Sequence, residues 1–400
     1  MKVNNNRIKN NLMKVGEVGK GVSGGITRLA FSKEFYEASA ILKKLMEEAQ
    51  LEVKEDMIGD IFGKRCGKDN DLPVIMVGSH LDTVRNGGVF DGNLGIIAAL
   101  ECMYVLEENS IITRHPIEIA AFNAEEGSEL GGAFASRVML GIQNQDEKEL
   151  ANKLACYGLT VENVKQSVRD ISRIKAFLEL HIEQGGDLEM KGIPIGIVDG
   201  IAGITRYRIC VNGEANHAGT TPMVLRKDAL IGASKLILEI ERMAKGFGEP
   251  MVATVGIMKI FPEAVNVIPG RVEFILEVRD LKQERIEQFI EQLIDTGKQI
   301  ERVQFEFQCV ISKPPIMTNA GIASIIERVC INKKLQYQYM ASGAGHDAQE
   351  MARKVPAGMI FIPSRGGKSH CAQEWTDWEE VYKGTEVLLD TILLLDKSIE

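Results

Sequence analysis

The chain has 400 residues, 45% of them hydrophobic and 26% charged, with a formal net charge of -9. That length exceeds what one hydrophobic core usually organises, so two domains are expected. The charge alternates in short stretches with no basic stripe to track a phosphate backbone, and no apolar run reaches the roughly 20 residues that cross a bilayer, which argues against nucleic-acid and membrane partners.

The first residues are basic but have no apolar stretch behind them, so no secretory signal is expected. Seven cysteines at scattered spacings, without a Cys-x-x-Cys, point to reduced thiols in a cytoplasm. A helix is predicted over 33–50. The continuous apolar runs 74–77 and 117–122 read as parallel strands covered on both faces. Helices are predicted over 93–107 and 133–140, and a strand over 176–182. Motifs containing His80, Asp91 and Glu125-Glu126 therefore fall just after strands or at helix starts, where open α/β sheets gather ligands.

From about residue 205 the pattern changes to clean alternation. Tyr207, Ile209 and Val211 oppose Arg206, Arg208 and Asn212, and Val272, Phe274, Leu276 and Val278 oppose Arg271, Glu273, Glu277 and Arg279. With two amphipathic helices between the alternating runs, the order reads β-α-β-β-α-β. That is the ferredoxin-like unit, whose close termini allow insertion into another domain. After Pro314-Pro315 the first pattern resumes, with a helix over 320–335 and a strand over 359–363. The expectation is an α/β catalytic domain, 1–204 with 318–400, interrupted by an inserted domain, 205–317.

Five of the six histidines lie in motifs rich in Asp, Glu and Gly, leaving only His115 outside. Together with Asp91, Glu125 and Glu126 they offer nitrogen and oxygen donors suited to divalent zinc, manganese or cobalt. His80 and Asp82 share a face at a strand end, so the carboxylate can hold the imidazole's other nitrogen. Asp91 has two oxygens with which to bridge two cations; alone, it reads as a helix N-cap. Of Glu125 and Glu126, one can ligate and the other can meet the attacking water; alone, the pair reads as a solvated acidic turn. His181 faces away from Leu180 and Ile182, as an interior histidine also would. His370 follows the flexible Gly366-Gly367, as a surface-loop histidine also would. Two such cations would retain net positive charge, favouring hydroxide near neutral pH and polarising a carbonyl, with Glu125 as proton shuttle.

In order, Gly78-Ser-His-Leu-Asp-Thr-Val84, Phe90-Asp-Gly92, Glu125-Glu-Gly127, Glu179-Leu-His-Ile-Glu-Gln-Gly185, Asn216-His-Ala-Gly-Thr-Thr-Pro-Met223 and Gly343-Ala-Gly-His-Asp-Ala348 resemble the amidase/carbamoylase branch of the M20 metallopeptidase family. The likeness runs from Gly21-Val-Ser-Gly-Gly-Ile-Thr-Arg-Leu29 to Glu374-Trp375. It implies a mixed-sheet, zinc-peptidase-like catalytic domain with an inserted ferredoxin-like lid and dimerisation domain. It also implies two divalent metal ions per subunit on His80, Asp91, Glu126, His181 and His370, with Asp91 bridging. Glu125 would be the general base, with Asp82 beside it in the catalytic set. Gln184, Asn266, Arg279, Gly345 and His346 would bind substrate, and His217 would stabilise the oxyanion, supplied across a homodimer. The lid is expected to close so that His217 and Arg279 approach the ions.

Histidine at 181, where peptidase relatives usually carry Asp, favours the ureido-cleaving branch. A small carboxylate is the expected substrate: an N-carbamoyl-L-amino acid first, then allantoate, ureidoglycolate or β-ureidopropionate, then a dipeptide. A binding relative without turnover would have no need of Glu125, and a purely structural dimer would lack the histidines. The chain departs from the branch at Glu129 for Arg, Leu130 for Phe, Lys368 for an apolar residue, and Cys371-Ala372 for Asn or Ser and Pro, which bears on the substrate and leaves the ligands intact.

Overall fold

The computed structural model describes residues 1–143 and 146–398. It divides into two compact units, Met1–Asp199 with Thr318–Glu400, and Gly200–Met317. Among the described residues no helix is long and apolar enough to cross a membrane, and all seven cysteines are free.

The first unit is mixed α/β. At the centre of its sheet, Ile117–Phe122, Val74–His80, Ile174–Ile182 and Ala357–Ile362 run parallel in that order. The hairpin of Glu52–Glu55 and Ile61–Arg65 adds antiparallel on one side, and Ile195–Ile201 pairs antiparallel with Ala357–Ile362 on the other. Every residue of Val74–His80 and Ile117–Phe122 is buried, as their uninterrupted apolar runs require. Neighbouring strands approach closely at Gly78, where a Cβ would sit 1.8 Å from the Ala120 carbonyl oxygen. Helices Asn93–Glu108, Ala320–Lys333 and Trp378–Lys397 share one core with these strands. Asn93–Glu108 is buried over nearly its whole length, so its face pattern is apolar almost all round.

The N-terminal helix read at 33–50 forms over Lys33–Glu48, capped by Ser32. A second one precedes it, Asn5–Gly16, which the sequence reading passed over. Its Asn4 cap accepts from the Arg7 amide, and its buried Ile8, Leu12 and Val15 recur at helical spacing. Strand Tyr337–Ser342 and helix Trp378–Lys397 were likewise passed over.

In the second unit, strands Gly203–Asn212, Val252–Phe261, Arg271–Asp280 and Gln304–Lys313 form an antiparallel sheet. Gly203–Asn212 and Arg271–Asp280 are central, Gln304–Lys313 and Val252–Phe261 the edges. Helices Ala229–Phe247 and Gln283–Gln299 cover one face. There Ile209, Val211, Val272, Phe274, Leu276 and Val278 pack against Ala233, Leu236, Ile240, Ile286, Phe289 and Leu293. The connectivity is the β-α-β-β-α-β order read from the alternation. Gly200 and Ile201 pair with Met317 and Ile316, so the chain enters and leaves this unit on adjacent strands.

Candidate metal centre

His80 ends its strand, and its Nδ1 lies 3.0 Å from the carbonyl oxygen of Asp82. A carbonyl only accepts, so Nδ1 carries a proton and Nε2 is the atom that faces Asp91 Oδ1 at 3.5 Å. His181 repeats the arrangement. Its Nδ1 bonds the Ile182 carbonyl at 2.9 Å, the Gly92 amide donates to Nε2 at 3.3 Å, and Nε2 stands 3.0 Å from the same Asp91 oxygen. Gly92 has φ of 65°, and a Cβ there would come within 2.5 Å of the His80 ring, so only glycine permits this approach.

Asp82 does not hold the His80 imidazole through its carboxylate as expected, since Oδ1 is 3.8 Å from Nδ1. Its oxygens accept the amides of Glu125 and Glu126 at 3.0 and 3.1 Å. The turn after Ile117–Phe122 brings those two donors to it, and the main-chain carbonyl takes over the orienting of His80. Asp82 therefore shapes the acidic turn.

A second group forms on the other Asp91 oxygen. His370 Nε2 lies 3.2 Å from Asp91 Oδ2 and 3.4 Å from Glu126 Oε2, and Gln184 Nε2 donates to Asp91 Oδ2 at 2.9 Å. In each of the sets His80, Asp91, His181 and Asp91, Glu126, His370 the donor atoms lie within 4.8 Å of one another, and Asp91 belongs to both. Glu179, His181 and His346 make a third such set. There, however, Glu179 already accepts from Ser79 Oγ at 2.6 Å and the Ala348 amide at 2.9 Å, and His346 Nε2 meets Ser342 Oγ at 3.0 Å.

The donor chemistry fits divalent cations. Buried Asp91 Oδ1 and Glu126 Oε1 have no hydrogen-bond partner, and the Nε2 atoms of His80 and His181 both face Asp91 Oδ1. Asp82, Asp91, Glu179, Asp347 and Glu374 are buried around them, while the guanidinium of buried Arg28 is engaged by the carbonyls of Leu81 and Val18. So many carboxylates out of water require compensating positive charge. Burial pushes Glu125 well above the usual carboxylate range, with Asp347, Glu126 and Asp82 adding to it and His80 opposing. Burial and neighbouring Asp91 push Glu126 up to about 8. Burial also works to raise Asp91, but the His181, His370 and His80 imidazoles beside it outweigh burial and hold that group well below its ordinary range.

The bond to Asp91 lifts His370 to about 9, so protons and cations compete for the same nitrogen. Zinc affinity of chelator-stripped protein is therefore expected to rise about tenfold per pH unit for each proton displaced between about pH 6 and 8. Competition titration against a chelator measures it, and a flat profile would exclude the imidazoles as ligands.

Residues 76–394 match the model of Peptidase family M20/M25/M40. The chain belongs to the M20 family. It is 40% identical to the N-carbamoyl-L-amino acid amidohydrolase of Geobacillus stearothermophilus, over 96% of this chain and 97% of that one. It is 34% identical to the allantoate amidohydrolase of Escherichia coli (strain K12), over 95% of each. A crystal structure of an amidase of the hydantoinase/carbamoylase family from Burkholderia multivorans superposes with a TM-score of 0.91 at 30% identity, covering 100% of this chain and 99% of that one.

In this M20 protein the other expected site residues divide between the units. Gln184 sits beside Asp91, to whose Oδ2 its Nε2 donates. His346 is enclosed behind His181, ring centroids 4.6 Å apart, and against Phe361; it backs a candidate ligand instead of facing open space, because the Gly345-His346 turn leads directly into the buried helix Asp347–Met351. In the second unit, His217 and Asn266 come together where Asn216–His217 pairs with Val267–Ile268 and the Ala218 amide bonds the Asn266 carbonyl at 2.9 Å. His217 Nδ1 accepts the amides of Gly219 and Thr220 at 3.0 and 3.2 Å, which places its proton on Nε2 as a donor. Arg279 is paired with Glu277, which also pairs with Arg206 across the sheet. At the departure Glu129, the carboxylate accepts from the Tyr157 hydroxyl, and Tyr157 packs on Phe31. Sequence reasoning gave Glu374 no role; it closes the stretch that resembles the family and lies four residues beyond His370.

Proposed function

We propose that this M20 protein is an amidohydrolase that uses two divalent ions to cleave the carbamoyl C–N bond of an N-carbamoyl-L-amino acid. The observation that carries this reading is one carboxylate, Asp91, shared by two donor groups, with Glu125 beside them and in neither; its Oε2 lies 3.9 Å from His80 Nε2. His80, Asp91 and His181 would hold one ion, and Asp91, Glu126 and His370 the other. Zinc, manganese or cobalt, when bound, would polarise the scissile carbonyl and acidify a water.

Glu125 takes the proton of the attacking water and returns it to the departing nitrogen. Burial pushes this carboxyl upward, and two cations beside it would oppose that push and keep it ionised to accept the water's proton. The Nε2 proton of His217 is available to a developing oxyanion. Arg279 and Asn266 grip the substrate carboxylate, and Glu277 holds the guanidinium in place. Arg279→Ala is expected to raise KM by about 10- to 100-fold, the weight of about 1.5–3 kcal/mol for a charged hydrogen bond. Steady-state kinetics separates this from kcat, which is expected to change less.

The second unit is read as a ferredoxin-like lid and dimerisation domain. Its edge strand exposes Val252, Ile257, Met258 and Phe261, and helix Ala229–Phe247 exposes Ile231 and Leu238, which supports a homodimer joined through this unit. The free thiols support a reducing cytoplasm as the compartment.

The allantoate-cleaving relative favours a second reading, with allantoate or a similar ureido acid as substrate. Stripped enzyme reloaded with zinc, manganese or cobalt is tested on N-carbamoyl-L-amino acids, allantoate, ureidoglycolate, β-ureidopropionate and dipeptides. Ammonia from N-carbamoyl-L-amino acids is expected. Ammonia from allantoate alone would move the assignment to the second reading, and cleavage of dipeptides with no ureido compound turned over would refute both.

A further inference from the structure

Glu374 is 4% exposed and belongs to neither donor group. Its Oε1 accepts the main-chain amides of Phe90 and Asp91, each at 3.0 Å. Its Oε2 accepts the Ser369 hydroxyl at 2.8 Å, and that same hydroxyl oxygen lies 3.1 Å from Asp91 Oδ2. The Glu374 amide donates to the Cys371 carbonyl at 3.0 Å, closing the loop that presents His370. One carboxyl thus ties the main chain of Asp91 to the segment carrying His370, with the Ser369 hydroxyl set between the two acids.

Its surroundings fix it in turn. A Cβ at Gly88 would fall 1.9 Å from Glu374 Oε1, so glycine there leaves the carboxyl its room. The adjoining Trp375 meets the Phe90 ring edge-on, centroids 5.3 Å apart. Held in this way, Asp91 divides its oxygens, Oδ1 toward His80 and His181 and Oδ2 toward His370.

We propose that Glu374, acting partly through Ser369, is a positioning residue that presets the Asp91 carboxylate to span two ions. This rests on the reading of Asp91 as the shared ligand. Carboxylates that orient ligands typically govern metal affinity by about 10- to 100-fold, so the effect belongs on ion binding before it reaches turnover.

The test titrates zinc alone into full-length, chelator-stripped wild type, Glu374→Ala, Glu374→Gln and Ser369→Ala, by calorimetry against a competing chelator, with melting followed in parallel. Glu374→Ala is expected to weaken zinc binding about 10- to 100-fold. Glu374→Gln keeps an oxygen for the two amides and offers its NH2 to Ser369, so it is expected to stay near wild type. Ser369→Ala is expected to lose about tenfold. A Glu374→Ala protein that melts earlier but binds zinc like wild type would reduce Glu374 to a structural role and overturn the proposal. If that variant does not fold, unchanged affinity in Ser369→Ala overturns it instead. Wild type binding fewer than two ions would sink the shared-ligand reading and this proposal with it, whereas two ions bound alike by wild type and Glu374→Ala sinks only the assignment to Glu374.

Discussion

Glu125→Gln is expected to lower kcat for ureido cleavage by about 10²- to 10⁴-fold, the usual weight of a positioned acid–base group, while ion content stays at the wild-type value. The substitution is isosteric, and Glu125 joins the fold through its main-chain amide on Asp82, which glutamine retains. Neither donor group includes Glu125, so ligation is not the quantity changed. What is lost is a carboxyl able to accept a proton at the water and release it at the nitrogen. Elemental analysis beside steady-state kinetics checks both halves. A variant keeping more than about a tenth of wild-type kcat would mean that another group moves the proton.

Asp91→Asn is expected to be as damaging by a different route. Asparagine presents one neutral oxygen and one donor NH2, so it cannot offer an anionic oxygen to both groups, and zinc affinity is expected to fall by more than about 100-fold. Hydrolysis then disappears for want of ions. Chelation of wild type imitates this and adds a dependence on pH. The folded-state pKa of Glu126, pushed up to about 8 by burial, lies above its ordinary value of 4.5. The folded chain therefore keeps a proton that the unfolded chain releases, and the stability of stripped protein falls as pH rises from 4.5 to about 8. For this one group the slope approaches about 1.4 kcal/mol per pH unit. Thermal melts of stripped protein should accordingly drop between pH 6 and 8, and zinc should restore most at the higher pH. Melts of stripped protein that rise over that interval would contradict a buried acidic centre awaiting cations.

Much of the architecture was legible because burial imposes a period on the chain. Val272, Phe274, Leu276 and Val278 all point into the second unit's core, as alternation demands, and the uninterrupted run ending at Phe122 is buried throughout. Helix Asn5–Gly16 escaped notice because three buried side chains in a polar segment make a faint stripe. Strand Tyr337–Ser342 is mostly half-buried, which leaves no clean pattern to read.

At the site, residue type and order pointed to the chemistry, since nitrogen and carboxylate donors are visible in any sequence. Partnership was not. That His80 leans on the carbonyl of Asp82 while the Asp82 carboxylate turns to the amides of Glu125 and Glu126 depends on how a strand end meets a turn. Glu374 reaches the Asp91 amide across 283 positions of chain, a distance over which local pattern carries no information. The amino-acid order by itself therefore determined which donors exist and which faces are buried, because both are local properties. Only the tertiary structure decided that His80, Asp91, Glu126, His181 and His370 converge, and which oxygen faces which nitrogen, because those are contacts through space between segments the chain holds far apart.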